Sequence, residues 1–258
     1  MNAWVDGHFV GEGQAPRATS RRPGPFETMG AERGDVRLWG RHLRRLTASA
    51  QALGLSFAPT AALRGAALEM LLQNGHTDGV LRLALAPEPD GGAVHTVLTT
   101  RPRSPARTVR LLPTVVEPDA GTVREHKLWP RPFYDAVLQQ AQDGGADDGV
   151  VVDEHGGVLE TATANLWLKL DGVWKTPPLD GRVLPGIARA LLLEAARRRG
   201  LRTAERALDL GDLHRAEAIA CSNAVYGPRA AALLDAGEPA VAIVDSELGP
   251  LWRDPPQD

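Results

Sequence analysis

Short strands joined by tight turns run through residues 148–176, and this pattern constrains the fold more than any other part of the sequence. GVVVD and VLET flank a turn at 155–157, and NLWLKL and VWK flank Asp171-Gly172. An Asp-Gly pair between two apolar runs is one of the strongest short-range signals for a β-hairpin. The pattern therefore predicts consecutive hairpins in this half of the chain.

One stretch of this region, VLETATANLWLKL (158–170), alternates like a core strand but carries four polar side chains: Glu160, Thr161, Thr163 and Asn165. Because acids are seldom fully buried, Glu160 is explained by an edge strand whose carboxylate faces water. It is also explained by a carboxylate aimed at a positive partner in a cleft, with its polar neighbours bonding to backbone or to a ligand. The residues by themselves leave both interpretations open.

Apolar periodicity predicts further elements on both sides of this region. Residues 3–10 predict a hairpin that turns at Asp6-Gly7, and a second helix is expected to begin near Thr60. The first helix is predicted over 38–53, with one apolar face made of Trp39, Leu43, Leu46, Ala50 and Leu53. The other predicted elements are a hairpin from VLRLALAP and AVHTVLTT, a strand in RTVRLLPTVV, a helix near 132–142, a helix opened by Gly186 and a strand in AIACSNAV.

The length of 258 residues suggests one large domain or two modest ones. Residues 114–122 form a predicted interdomain linker. We therefore predict a mixed α/β chain with a small α/β domain over 1–113 and a larger domain over 123–258.

The bulk composition excludes several classes of partner. The formal net charge is −3 and 24% of residues are charged, so nothing calls for nucleic acid or an anionic membrane. The N-terminus lacks the pattern of a secretory signal, and no apolar run approaches the ~20 residues that span a bilayer. Cys221 is the one cysteine, so no internal disulfide can form and a cytoplasmic location is expected. No metal site is expected.

Four short stretches could carry chemistry, and each also has an ordinary structural explanation. Gly186 opens an apolar helix whose free N–H groups suit a phosphate, or it serves only a tight turn. Lys127 is flanked by His126 and Trp129; it is a surface lysine, or a desolvated one that attacks carbonyl groups. Ser222 and Asn223 end an apolar strand and line a pocket or a turn. Arg45, in RHLRRL, lies on a helix, where most arginines are solvated.

Read together, these stretches resemble a known family. The order FETM, RHLRRLTASAQALGL, a lysine, DDGVVVDEHGGVLETATANLWL, TPPLDGRVLPGIAR and ACSNAVYG is similar to that of the class IV aminotransferases. These are the fold type IV pyridoxal-phosphate enzymes, which include branched-chain and D-amino-acid aminotransferases and 4-amino-4-deoxychorismate lyase. The resemblance covers about residues 2–235 and is strongest over 145–189.

The resemblance implies a role for individual residues. Lys127 matches the lysine that forms the Schiff base with pyridoxal 5′-phosphate, and Glu160 matches the acid that pairs with the pyridine nitrogen. The cofactor phosphate is contacted in the family by residues that match Arg45, Ile187, Ala188 and Ser222. Asn165, Asn223, Arg229 and Arg131 are candidates for binding the substrate.

The resemblance also implies a fold and a reaction. The fold is the two-domain D-amino-acid aminotransferase-like one, with a small α/β domain, a larger barrel-like β domain with helices, and the cofactor between them. Members are usually homodimers that act on small amino substrates. CSNAVYGPR resembles the segment of the lyase, which serves folate biosynthesis, more than the segments of the transaminases. A branched-chain or D-amino-acid transaminase is the alternative, and a cofactor-binding paralogue without turnover is a third.

The sequence departs from the family pattern at several positions. A Thr usually follows Gly-Ile at the phosphate helix, where this chain has Ala188. A Tyr or Asn commonly follows the lysine by four or five positions, and here WPRP occupies that place. The departures imply one fewer hydroxyl contact to the phosphate and no usual donor to the phenolic oxygen of the cofactor ring.

Overall fold

The computed structural model describes residues 1–115 and 124–253, which divide into two compact units. The first unit comprises residues 1–105 and 126–130, and the second comprises the other described residues. Within the described part of the chain, no helix is both long and apolar enough to cross a membrane.

The first unit is a sheet with two helices. Numbered in chain order, its elements are β1 (Asn2–Val5), β2 (His8–Gly11), a 3-10 turn (Glu12–Gln14), β3 (Gly24–Glu32), β4 (Asp35–Val36), α1 (Trp39–Ala52), α2 (Ala61–Gln73), β5 (Val80–Pro87), β6 (Val94–Arg101) and β8 (Leu128–Trp129). The strands follow the order β2-β1-β6-β5-β3-β4, and β8 pairs with β3. The apolar faces of both helices and of the sheet meet in one core that includes Met29, Leu46, Met70 and Leu83.

The second unit contains more strands and more helices. Its elements are β7 (Val109–Val115), α3 (Pro132–Asp143), β9 (Asp148–Val152), β10 (Gly157–Thr161), β11 (Asn165–Leu170), β12 (Val173–Thr176), α4 (Ile187–Arg199), β13 (Thr203–Glu205), β14 (Leu208–Asp209), α5 (Leu210–Arg215), β15 (Ala218–Asn223), β16 (Gly227–Leu233), α6 (Val241–Glu247) and α7 (Gly249–Arg253).

Six strands of the second unit close into a barrel-like ring. The order is β11-β15-β16-β7-β9-β10, and β10 pairs with β11 to complete the circle. Alternate side chains of these strands fill the interior, among them Leu111, Val150, Leu166 and Cys221. Because successive side chains of a strand point to opposite faces, each strand alternates between side chains inside the ring and side chains outside it.

Most predicted elements are confirmed at close to the predicted positions. β1 and β2 form the N-terminal hairpin with Asp6 and Gly7 at positive φ, and the Asp171-Gly172 turn joins β11 to β12. The helix predicted over 38–53 is α1, whose buried face includes Leu46 and Ala50. Leu53 differs from the prediction, since it follows the last turn of α1 and is exposed.

The structure divides the chain differently from the predicted domain boundaries. The strand in RTVRLLPTVV, assigned by sequence to the small domain, is β7 and pairs in parallel with β16 and β9 of the second unit. The predicted linker 114–122 begins inside β7, and its remainder lies outside the described residues. Lys127, assigned by sequence to the larger domain, belongs to the first unit because the neighbouring strand β8 pairs with β3.

Candidate active site

Glu160 lies near the end of β10 and its carboxylate is held by hydrogen bonds from inside the second unit. The side chain is 3% exposed. Oε1 accepts from the Tyr134 hydroxyl at 2.5 Å, Oε2 accepts from Asn165 Nδ2 at 3.1 Å, and the Leu184 N–H reaches both oxygens at 3.1 and 3.2 Å. The interpretation of Glu160 as a water-facing edge residue is therefore wrong.

A β-bulge sets the direction of this side chain. Val158 pairs with Val152 and Thr161 pairs with Val150, so β10 has one more residue than β9 between the two pairs. A bulge of this kind re-aims a side chain and is often found beside an active site. Here it lies immediately before and at Glu160.

The turn that follows Glu160 is fixed by a buried acid. Asp148 Oδ2 accepts from Thr161 Oγ1 at 2.8 Å and from Thr163 Oγ1 at 2.5 Å. Thr161 Oγ1 also accepts from the Ala164 N–H at 2.9 Å. Burial raises the pKa of Asp148, and the two threonine hydroxyls oppose that rise. This cluster ties β10 and the start of β11 to β9.

Glu160, Asn165 and Ser222 form one row across three neighbouring strands. Asn165 of β11 pairs with Glu160 on one side and with Ser222 of β15 on the other. Ser222 is buried, and its Oγ accepts from Trp167 Nε1 at 2.9 Å. Because a hydroxyl can accept and donate at once, Ser222 keeps its own hydrogen for a further acceptor.

The helix α4 begins close to this row. Its first intrahelical bond runs from the Ala190 N–H to the Gly186 carbonyl, so the Ile187 and Ala188 N–H groups have no acceptor within the helix. Both residues are buried. A Cβ at Gly186 would lie 1.8 Å from Asn165 Oδ1, so the helix start and the row are in close contact. Free N–H groups and the positive end of the helix dipole favour an anion there.

Lys127 lies on the first unit, where its main chain is pinned to β3. The Phe26 N–H donates to the Lys127 carbonyl at 2.9 Å. Its Nζ lies 4.8 Å from the centroid of the Phe26 ring, so the amine is beside an aromatic face that the sequence neighbours His126 and Trp129 did not indicate. The other two lysines of the chain, Lys169 and Lys175, form ion pairs with Glu247 and Asp171.

Arg45 is held on α1 by a buried acid of β3. Its Nε and Nη2 donate to the two oxygens of Glu27 at 2.7 and 2.6 Å. His42 Nδ1 lies 2.7 Å from Glu27 Oε2. Burial opposes ionisation of Glu27, but Arg45 and His42 outweigh it and lower the pKa of Glu27 to about 2. Burial lowers the pKa of His42, so its ring is neutral and donates through Nδ1.

The candidate substrate-binding residues have partners of their own in the second unit. Asn223 Oδ1 accepts from the N–H groups of Val225 and Tyr226, which shapes the turn into β16. Arg131 pairs with Asp135 and donates to the Ala162 carbonyl. The guanidinium of Arg229 lies over the Tyr226 ring. The structure thus gives Asn223 and Arg131 roles in local structure, and their role toward a substrate stays a prediction.

Sequence reasoning missed five residues that hold the candidate site together: Glu27, His42, Tyr134, Asp148 and Trp167. The sequence did indicate Glu27, because FETM places an acid within an apolar strand, as VLET does for Glu160. Asp148 had a weaker signal, as an acid opening the apolar run GVVV. Tyr134 follows Lys127 by seven positions, further than the four or five that are common in the family, and its sequence neighbours do not mark it.

Known proteins share this architecture and much of this sequence pattern. A model of the class IV amino-transferases matches residues 24–232. A Methanocaldococcus jannaschii protein provisionally named as a branched-chain-amino-acid aminotransferase is 27% identical over 246 residues, covering 85% of this chain and 83% of its own. The bifunctional aminodeoxychorismate lyase/D-amino acid transaminase of Mycobacterium tuberculosis is 28% identical over 226 residues, covering 78% of each chain.

Solved structures agree with the predicted fold class. A hypothetical aminotransferase from Mycobacterium tuberculosis, in its pyridoxal-phosphate-bound form, superposes with a TM-score of 0.79 at 26% identity, covering 96% of this chain and 97% of its own. The prediction of a mixed α/β chain with a barrel-like β domain is confirmed.

The residues of the second unit fit pyridoxal phosphate. The buried Glu160 carboxylate suits a protonated ring nitrogen, and the unbonded N–H groups of Ile187 and Ala188 suit a phosphate. The Ser222 hydroxyl still has a hydrogen to donate. A buried acid and several donors suited to an anion therefore lie in neighbouring strands and the adjoining helix.

Proposed function

Because the chain belongs to the class IV aminotransferases, a pyridoxal-phosphate-dependent enzyme family, we propose that it is a 4-amino-4-deoxychorismate lyase, which releases pyruvate and forms 4-aminobenzoate. The observation that carries the proposal of a pyridoxal-phosphate enzyme is the buried Glu160 carboxylate, held by three donors in the same row as Ser222 and beside the start of α4. A carboxylate that is buried and oriented in this way suits a cationic ligand group.

The proposal gives a role to each residue that the family resemblance assigned to cofactor binding. Glu160 would accept a hydrogen bond from the ring nitrogen of pyridoxal phosphate. Ile187, Ala188, Ser222 and Arg45 would hold its phosphate, as the family resemblance implies. The Glu27 carboxylate orients Arg45 through two hydrogen bonds, which fixes the plane of the guanidinium.

Lys127 is the proposed catalytic residue. When bound, pyridoxal phosphate supplies an aromatic ring that withdraws electrons from the carbon bearing the substrate amino group. Lys127 Nζ would hold the cofactor before the substrate binds. It would then take the proton from the carbon that bears the amino group, and the departing enolpyruvyl group would gain a proton to become pyruvate. Its main chain is anchored to β3 through Phe26, which fixes the point from which the side chain extends.

The segment CSNAVYGPR favours the lyase. It ends β15 and turns into β16, and its sequence resembles the corresponding segment of the lyase more than those of transaminases. Asn223 gives this turn its shape by accepting from two backbone N–H groups.

A transaminase that exchanges the amino group of a branched-chain or D-amino acid with a 2-oxo acid is the second candidate. The names of the relatives favour it: one is provisionally a branched-chain-amino-acid aminotransferase, and the other combines lyase and D-amino acid transaminase activities.

The deciding experiment is pyruvate release from enzymatically generated aminodeoxychorismate by the protein loaded with pyridoxal phosphate. A screen of branched-chain and D-amino donors with 2-oxoglutarate runs beside it. Pyruvate formed together with 4-aminobenzoate supports the lyase, whereas amino transfer without pyruvate release supports the second candidate. If the loaded protein catalyses neither reaction, both candidate functions are contradicted.

The site at which the cofactor attaches covalently can be tested separately, because the chain has only three lysines. Borohydride reduction of the loaded protein, followed by peptide mass mapping, is expected to mark the peptide that contains Lys127. Lys127→Ala should lose the visible absorbance band of the bound cofactor. Lys175→Ala, which removes an amine paired with Asp171, is the matched control and should keep it. A label at Lys169 or Lys175 would overturn the assignment.

The proposal includes a homodimer in the cytoplasm, as the resemblance and the single cysteine predicted. Cys221 is fully buried within the barrel-like ring, and burial raises the pKa of its thiol, so it is shielded from disulfide exchange. Light scattering of the purified protein tests the dimer, and a mass of one chain would contradict it.

A further inference from the structure

The shortest of the hydrogen bonds to Glu160 comes from Tyr134. The phenol oxygen lies 2.5 Å from Glu160 Oε1, within the range of strong bonds to a charged acceptor. Tyr134 is half-buried in the first turn of α3, on the side of the helix that faces β10. It is 26 residues from Glu160 in the sequence, so no local signal predicts the pair.

The direction of the hydrogen bond is fixed by the protonation of the phenol. Burial raises the pKa of Tyr134, and the negative charge of Glu160 raises it further. Two cations from nearby segments, Arg124 and Arg131, lower it by less. The phenol is therefore protonated at neutral pH and donates a hydrogen bond to the carboxylate.

The packing of α3 does not depend on this hydroxyl. Val137 and Leu138 of α3 pack with Leu159 and Val183, and the Tyr134 ring meets the edge of Phe133. These contacts and those to Val151 of β9 hold the helix against the sheet without the phenol oxygen. Tyr134→Phe removes the hydroxyl and keeps the ring. The substitution therefore tests the hydrogen bond to Glu160 without disturbing the packing of α3.

We propose that Tyr134 is a positioning residue that orients the Glu160 carboxylate and stabilises its negative charge, so that the acid can bind a cationic ring nitrogen. This inference rests on the proposed function, in which Glu160 is the acid for that nitrogen. Asn165 and Leu184 bond to the same carboxylate but are neutral amides, whereas the hydroxyl makes the shortest contact. At 2.5 Å, the Tyr134 hydroxyl is therefore a donor that helps to keep the acid ionised as the pH falls.

The first test is the pH dependence of cofactor affinity, measured by quenching of tryptophan fluorescence in wild type and Tyr134→Phe. Cofactor affinity should fall at acid pH, where Glu160 becomes protonated; we call this fall the acid limb. Losing a hydrogen bond to a charged group is expected to raise the pH of the acid limb by about one unit in Tyr134→Phe. Tyr226→Phe makes the same substitution at the only other tyrosine and is expected to leave the limb in place. A uniform loss of affinity with no shift of the limb would overturn the proposal and leave Tyr134 a structural residue.

The second test needs no cofactor. In Tyr226→Phe the only tyrosine is Tyr134, so phenolate absorbance at alkaline pH reports on it alone. We expect no phenolate before unfolding, and an earlier appearance when Glu160→Gln is added. Ionisation at the ordinary pH of a tyrosine would refute the hydrogen bond. If wild type binds no pyridoxal phosphate, the proposed function fails, while this titration still decides the pair.

Discussion

Trp167 donates its indole N–H to the Ser222 hydroxyl at 2.9 Å, and both side chains are buried in neighbouring strands of the ring. The bond occupies one lone pair of the hydroxyl, which restricts its rotation and leaves its hydrogen for another acceptor. In the proposed enzyme that acceptor is the cofactor phosphate.

Trp167→Phe should therefore weaken cofactor binding about five-fold, as expected for a neutral hydrogen bond of about 1 kcal/mol. The smaller ring should also lower the free energy of unfolding by about 2 kcal/mol. Trp174→Phe is the matched control, since Trp174 is equally buried but donates to Glu247. Equal losses of affinity in the two variants would contradict the role of Ser222.

Glu27 should make stability depend on pH in the acid range. Its pKa falls from 4.5 to about 2 on folding, which corresponds to roughly 3 kcal/mol of stability linked to ionisation. Because the folded pKa is the lower one, this contribution is complete above pH 4.5 and is lost as the pH falls toward 2. The difference in free energy of unfolding between wild type and Glu27→Gln should therefore shrink over that range, as denaturant titrations can measure.

Glu32→Gln provides the comparison for Glu27→Gln. Glu32 also pairs with arginine, but it is 44% exposed, and exposed ion pairs contribute little. We expect a small difference in free energy of unfolding between wild type and Glu32→Gln, and we expect it not to vary with pH. If Glu27→Gln behaved in the same way, the buried pair would not be ionised as described.

Thr161→Val should destabilise the second unit more than an ordinary buried threonine would. The substitution removes a donor to Asp148 and an acceptor for the Ala164 N–H, at a cost of about 3 kcal/mol. Thr176→Val removes a single bond to the Leu166 carbonyl and should cost about 1 kcal/mol. Thermal unfolding of both variants measures the difference, and equal shifts in Tm would argue against the Asp148 cluster.

Gly186→Ala should disturb the candidate site through Asn165. The added methyl would lie 1.8 Å from Asn165 Oδ1, so Asn165 must move and lose its bond to Glu160. We expect a loss of about 2 kcal/mol of stability and weaker cofactor binding. Gly65→Ala, in α2, meets no atom within 4 Å and should stabilise by about 0.5–1 kcal/mol. Stabilisation by both substitutions would show that the contact at Gly186 is not tight.

Local patterns were sufficient to predict the hairpins and most of the helices. Asp171-Gly172 specified its turn because both residues adopt positive φ, which few other pairs tolerate. The helix α4 began after Gly186, where a glycine followed by an apolar period predicted it. These features depend on residues that are close together in the sequence.

Features that depend on distant pairing were not predictable in this way. β7 and β16 are parallel neighbours, with Val109 opposite Ala231, and nothing in either segment identifies its partner. The bond between Tyr134 and Glu160 likewise depends on where α3 packs against β10. The family resemblance supplied the roles of Lys127 and Glu160, but not the residues that support them.

The place of β7 between β16 and β9 has a practical consequence for dissecting the chain. A fragment starting at residue 123 would lack this strand and would expose unpaired main-chain groups along both of its former neighbours. Open edges of that kind recruit strands from other molecules. An expression fragment of the second unit alone would need to start before Val109 to stay monodisperse.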